Sequence, residues 1–188
     1  MRMLVSLAFV ASVLSLPVAM AQSPYKGDAF IRNHANGKCL DFARGDRSDS
    51  VTLQQWPCAS NVSDLRQTNH QQWWLINITG RYPNNAPAYV FQNAANFTCI
   101  AVENDSLANA ARIVQRQCDV NNPSQHWIML TRADPIERGM KTKWMNGRSG
   151  KCLDIWNNDN GTVFQQYDCA KASYWPQQMF SFIWVPYP

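Results

Sequence analysis

The chain has 188 residues, 46% of them hydrophobic, and a formal net charge of +4 at pH 7. Only 16% of residues are charged and no basic block forms, which argues against nucleic acid, whose phosphates demand clustered Lys and Arg. Polarity rests on Asn and Gln instead, side chains suited to neutral hydrogen bonding.

The first element is read as a leader. Arg2 makes a positive start, Leu4 to Leu16 is an apolar run too short to span a bilayer, and Ala19-Met20-Ala21 is a small-x-small cleavage site. Residues 1–21 are therefore expected to be a signal peptide cut after about Ala21, giving a secreted protein. No later stretch is long and apolar enough for membrane insertion. Residues 22–188 suffice for one domain with its own core. All six cysteines fall there, in a compartment that export makes oxidising, and by count alone they allow fifteen pairings.

Further along, short apolar runs alternate with turn clusters. Ala29-Phe30-Ile31 reads as a strand, Asn36-Gly37-Lys38 as a turn, then Cys39-Leu40-Asp41 and Leu53-Gln54-Gln55-Trp56-Pro57-Cys58 follow, closing on Gln71-Gln72-Trp73. The order then repeats. Tyr89-Val90-Phe91 leads to Cys99-Ile100, to Val114-Gln115-Arg116-Gln117-Cys118 and to Gln125-His126-Trp127. It repeats again with Trp144, Asn146-Gly147-Arg148, Cys152-Leu153-Asp154, Phe164-Gln165-Gln166-Tyr167-Asp168-Cys169 and Gln178-Met179-Phe180. Aligned on Cys39, Cys99 and Cys152, an Asn stands six residues earlier each time (Asn33, Asn93, Asn146) and a large apolar residue eight earlier (Ile31, Phe91, Trp144). Repeats of this length are too small to bury an apolar face alone, so three must share a core and close a small barrel without exposed edges. No stretch sustains a helical period.

The Gly-Lys-Cys-Leu-Asp blocks at 37–41 and 150–154, with the three Gln-x-aromatic blocks, resemble the ricin B-type lectin family. The resemblance implies an all-β fold, a β-trefoil of about twelve strands in three pseudo-threefold lobes, here roughly 28–80, 87–132 and 141–185. It also implies one sugar pocket per lobe where the residues allow. With the repeat, it pairs the cysteines inside each lobe: Cys39–Cys58, Cys99–Cys118 and Cys152–Cys169. Trp73, Trp127 and Phe180 are expected at the core.

A sugar ring shows C–H groups on one face and hydroxyls at its edge, so a shallow site needs an aromatic platform and a carboxylate for a hydroxyl pair. In the first lobe the matching residues are Asp41 and Trp56, with Gln54 and Gln71 as hydrogen-bonding groups at the rim. His70 stands where the family commonly has Asn and can still donate or accept a hydrogen bond. The long connection from Ala59 to Asn69 borders it. In the third lobe they are Asp154, Tyr167, Gln165, Gln177 and Gln178, with Trp156 and Asn157 placed to reach a second ring. The second lobe has Ala101 in the carboxylate's place and Arg116 in the ring's, so its pocket is expected to be structural.

No nucleophile-base, metalloprotease or zinc spacing appears, and neither cofactor nor metal is expected. The leading expectation is a non-enzymatic, secreted lectin for glycans or glycoproteins, recognising galactose-type or related sugars in the first and third lobes. The alternative is a cell-binding or delivery subunit that accompanies a toxin catalytic subunit, as in cytolethal distending toxin assemblies. An exposed tryptophan patch would favour that alternative, with Trp74, Trp144, Trp156 and Trp175 as candidates, some of which must be core.

Overall fold

The computed structural model describes residues 29–42, 48–59, 69–130, 141–172 and 174–184. The expected signal peptide and residues 60–68 of the long first-lobe connection lie outside the described residues.

Twelve strands form one continuous sheet. Alternating apolar residues and short turns make them brief. They are β1 (Ala29–Asn33), β2 (Cys39–Phe42), β3 (Leu53–Trp56), β4 (Gln72–Asn77), β5 (Ala88–Asn93), β6 (Thr98–Val102), β7 (Ile113–Gln117), β8 (Trp127–Met129), β9 (Trp144–Asn146), β10 (Cys152–Asp154), β11 (Gln165–Tyr167) and β12 (Phe180–Trp184). Helical structure among the described residues is limited to single 3-10 turns. Three of these, Asn69–Gln71, Pro123–Gln125 and Pro176–Gln178, run into β4, β8 and β12.

Six strands form a ring in the order β12, β1, β4, β5, β8, β9, all antiparallel. Between β9 and β12 there is no ladder. One bridge, Thr142 with Phe180, joins them through a reciprocal pair of 2.8 Å backbone hydrogen bonds. The sheet is therefore not closed into the barrel expected from the repeat, and this single bridge spans the gap. The other six strands form hairpins β2–β3, β6–β7 and β10–β11, one per lobe. They meet one another through the bridges Thr52 to Val114, Gln54 to Val163 and Arg112 to Gln165. A disulfide ties each hairpin, Cys39–Cys58, Cys99–Cys118 and Cys152–Cys169, with Cα separations of 5.0, 4.9 and 4.9 Å.

The core lies inside the ring and beneath the hairpins. Trp73, Trp127 and Phe180 are fully buried there with Ile31, Phe91 and Trp144. Each such side chain stabilises the fold by about 1.5–3 kcal/mol. The indoles of Trp73 and Trp127 donate to the carbonyls of Leu40 and Ile100, tying ring strands to hairpins. Trp144 sits edge-on to Phe91, Tyr89 and Phe182.

Two sets of buried amides lock the lobes together. Asn33, Asn93 and Asn146 each accept a turn amide proton through Oδ1, from Ala35, Ala95 and Arg148. Their Nδ2 groups reach the neighbouring lobe, donating to the carbonyls of Gln177, His70 and Ser124. Gln55, Gln115 and Gln166, the inward residues of β3, β7 and β11, are likewise fully buried. Their Nε2 groups donate to Asp159, Ser48 and Ala108 carbonyls, again across a lobe boundary. Buried polar groups of this kind are stable only when satisfied, and satisfaction fixes each lobe's place.

The turn before each first cysteine needs a left-handed residue. Gly37 (φ 74°) and Gly150 (φ 70°) supply it cheaply, whereas the second lobe places Phe97 there at φ 62°.

Candidate functional site

Strand register builds the site. In the third lobe Asp154 lies across from Gln165 and Cys152 across from Tyr167, with Leu153 and Gln166 paired between them. Because side chains alternate along a strand, Asp154, Gln165 and Tyr167 share the outer face while Gln166 turns inward. The first lobe has the same register: Asp41 opposite Gln54, Cys39 opposite Trp56. In both lobes the glutamine orients the carboxylate, Gln54 Nε2 donating to Asp41 Oδ1 and Gln165 Nε2 to Asp154 Oδ1, each at 2.9 Å. The two rings stand in the same degree of exposure, 45% for Trp56 and 45% for Tyr167.

Beyond this shared frame the lobes differ. Asp41 is only 2% exposed. Its second oxygen takes a hydrogen bond from Gln71 Nε2 at 2.8 Å and has His70 Nε2 at 3.1 Å, so its own lobe occupies it on all sides. Gln71 is not a rim group: it is buried and also bonds the Ala59 amide and the Pro57 carbonyl. Gln178 is placed likewise in the third lobe, accepting from the Ala170 amide and donating to the Asp168 carbonyl. These glutamines sit under the carboxylates and hold the disulfide loops against them.

Asp154 opens into a cavity of about 510 Å³ that also holds Gln165, Tyr167, Gln177, Trp156 and Trp175. Burial raises the Asp154 carboxyl above the usual carboxylate range, and hydrogen bonds from Gln165 and Gln178 partly offset this. A desolvated acceptor beside exposed rings suits a neutral polyol. It can take paired hydroxyls while apolar C–H surface covers the aromatic walls.

The second lobe keeps a smaller hollow of about 300 Å³ with Ala101 and Arg116 among its lining. Arg116 lies across from Cys99, the place of the ring in the other lobes. Glu103 does not replace the missing carboxylate in it, because Arg112 grips both its oxygens at 2.7 and 2.9 Å. Of the four tryptophans that are candidates for a docking patch, Trp144 is core, and Trp156 and Trp175, both exposed, line the third-lobe cavity. Trp74 is exposed beside the exposed Phe97, ring centres 5.5 Å apart.

Two features escaped the sequence reading. One is the trio Gln55, Gln115 and Gln166, whose signal was their recurrence three residues before each closing cysteine. The other is Lys143, a buried lysine in an otherwise apolar position of the repeat.

A ring joined to three hairpins over one core defines a β-trefoil. The family model for the ricin-type beta-trefoil lectin domain-like proteins matches residues 69–167, more than half of the chain, and the chain belongs to that family. Solved structures agree on the fold. A designed threefold-symmetric protein, ThreeFoil, is similar at TM-score 0.67 and 21% identity over 84% of this chain and 99% of its own. The exo-β-1,3-galactanase 1,3Gal43A from Clostridium thermocellum gives TM-score 0.67 and 21% identity over 86% of this chain, which spans 31% of that enzyme. The C-half of an earthworm R-type lectin, solved with GalNAc, gives 0.58 and 16% over 85% of this chain and 99% of its own. Among curated proteins no sequence relative matches.

Proposed function

We propose that this protein is an exported, non-enzymatic carbohydrate-binding protein whose principal site is the third-lobe cavity. The observation that carries the reading is the convergence of Asp154, Gln165 and exposed Tyr167 on one open cavity, beside two further indoles. In this reading Asp154 accepts from a pair of adjacent hydroxyls, Gln165 and Gln177 set their direction, and the sugar's C–H face lies on Tyr167. Galactose-type or related sugars fit such an arrangement, and the earthworm lectin solved with GalNAc shares the fold. The first lobe has the same parts, but His70 adds a further group on Asp41 that ligand hydroxyls must displace, so it is the weaker site.

A glycan array on the mature protein tests the reading, with Tyr167→Ala and Asp154→Asn measured beside it and thermal midpoints taken on the same samples. Binding that vanishes in both variants while the midpoints hold supports it. Binding unchanged in both places the sugar elsewhere, and no binding to any glycan refutes the function itself.

A further inference from the structure

The third repeat departs from the other two at a position that the carboxylate and ring do not use. The residue before the core side chains Ile31, Phe91 and Trp144 is Phe30 in the first lobe and Val90 in the second, both buried. In the third lobe it is Lys143, and it too is buried, at 8% exposed. A buried ammonium persists only when its donors are met. Lys143 Nζ donates to the carbonyls of Ala170 and Ala172 at 2.7 and 2.8 Å. Two residues earlier, Lys141 holds its Nζ 5.5 Å from the centre of the Tyr174 ring.

These contacts fall on the segment that leaves the sheet after Cys169. Gln178 fastens the same segment from inside at Asp168 and Ala170. Ala170, Ala172 and Trp175 all line the cavity. Ala170 and Ala172 are therefore held in the cavity wall, and Trp175, 46% exposed, lines the same cavity. The cavity is larger than one sugar needs. A hexose fills at most about 360 Å³ even if each heavy atom takes a water molecule's share of liquid volume, against the 510 Å³ found. Its charged lining residues are Asp154, Asp168 and Lys171, and Asp168 is already held by Lys151 at 2.6 Å, so no excess of positive charge awaits an acidic sugar.

Resting on the carbohydrate-binding reading above, we propose that the third-lobe site takes a neutral oligosaccharide of two or more rings. One ring sits on Tyr167 with its hydroxyls at Asp154. The next lies against Trp175, on the wall that Lys143 positions.

Titration calorimetry with galacto-, chito- and cello-oligosaccharides of one to four rings tests this. At least one series is expected to tighten about tenfold from one ring to two or three, the gain of one added aromatic contact. Trp175→Ala, a change at an exposed side chain, should remove that gain and leave one-ring affinity within about twofold. Lys143→Met should do the same and Lys143→Arg should restore most of the gain. Tryptophan fluorescence should shift with the longer sugars and not with the single ring, and the shift should be lost in Trp175→Ala. Affinity that is flat with ring number, in a protein that binds the single sugar, overturns this inference and leaves the lectin reading intact. A length gain that survives Trp175→Ala or a folded Lys143→Met also overturns it. Failure to bind any sugar, single or joined, removes both.

Discussion

Asp41 and Asp154 hold the same place in two lobes and differ in what surrounds them. Asp41 accepts from Gln54 and from buried Gln71 and has His70 beside it, so Asp41→Ala removes an acceptor from a buried network and should cost about 1–3 kcal/mol. Asp154 likewise accepts from Gln165 and Gln178 but lacks a histidine partner, and burial disfavours its charge, so its removal should cost less than that of Asp41 while ending sugar binding. Urea denaturation of the two variants at pH 7 makes the comparison. His126 gives a second test at this scale. Tyr82 Oη lies 2.7 Å from its Nδ1 and the Val120 carbonyl 3.0 Å from its Nε2, so the neutral ring uses both nitrogens, Nε2 as donor and Nδ1 as acceptor. Burial lowers its pKa, as it does that of His34. The unfolded chain then takes up protons that the folded chain refuses. The stability tied to these rings is full above the unfolded value near pH 6.5 and is lost as pH falls through the lowered folded values. Stability measured from pH 7.5 to 5 should decline, and His126→Gln should lessen the slope. An equal slope in both proteins assigns the decline to other groups.

At the scale of the elements, what matters is how hairpins are fastened to one another. Gln115 Oε1 accepts from Asn96 and its Nε2 donates to the Ser48 carbonyl, with no water-facing alternative for a fully buried amide. Gln115→Ala should therefore lose about 1–3 kcal/mol in denaturant unfolding, although no sugar is expected near it. A cost below half a kcal/mol would mean that the backbone bridges alone hold the hairpins. The strands and disulfide partners were legible in the sequence because each rests on a motif met three times. So was the register that sets Asp154 and Tyr167 on one face, since it follows from the spacing to Cys152 and Cys169. The inequality of the lobes was not. Whether Asp41 is open depends on where a 3-10 turn places His70 and Gln71, a tertiary matter that no local pattern records. Lys143 stood in plain sight as a break in an apolar column, but only the carbonyls 27 and 29 residues away explain it.

The whole molecule is a threefold frame carrying three unlike surfaces, and its lobes are held by contacts that never follow the covalent connection alone. Each disulfide stays within one lobe. β1 and β12 are zipped along all five residues, from Ala29 opposite Trp184 to Asn33 opposite Phe180. Adjacent strands bring such paired residues within about 5.5 Å, so a short Gly/Ser linker can join one end of the frame to the other. The turn at Gly80 and Arg81 is exposed and offers a place to open the chain. A circular permutant running from Arg81 to Trp184, through the linker and on from Ala29 to Gly80, should form the same three disulfides and retain sugar binding. Peptide mapping and calorimetry would check both. For this frame the order in which the lobes are synthesised is then a matter of gene arrangement, and any lobe can come first.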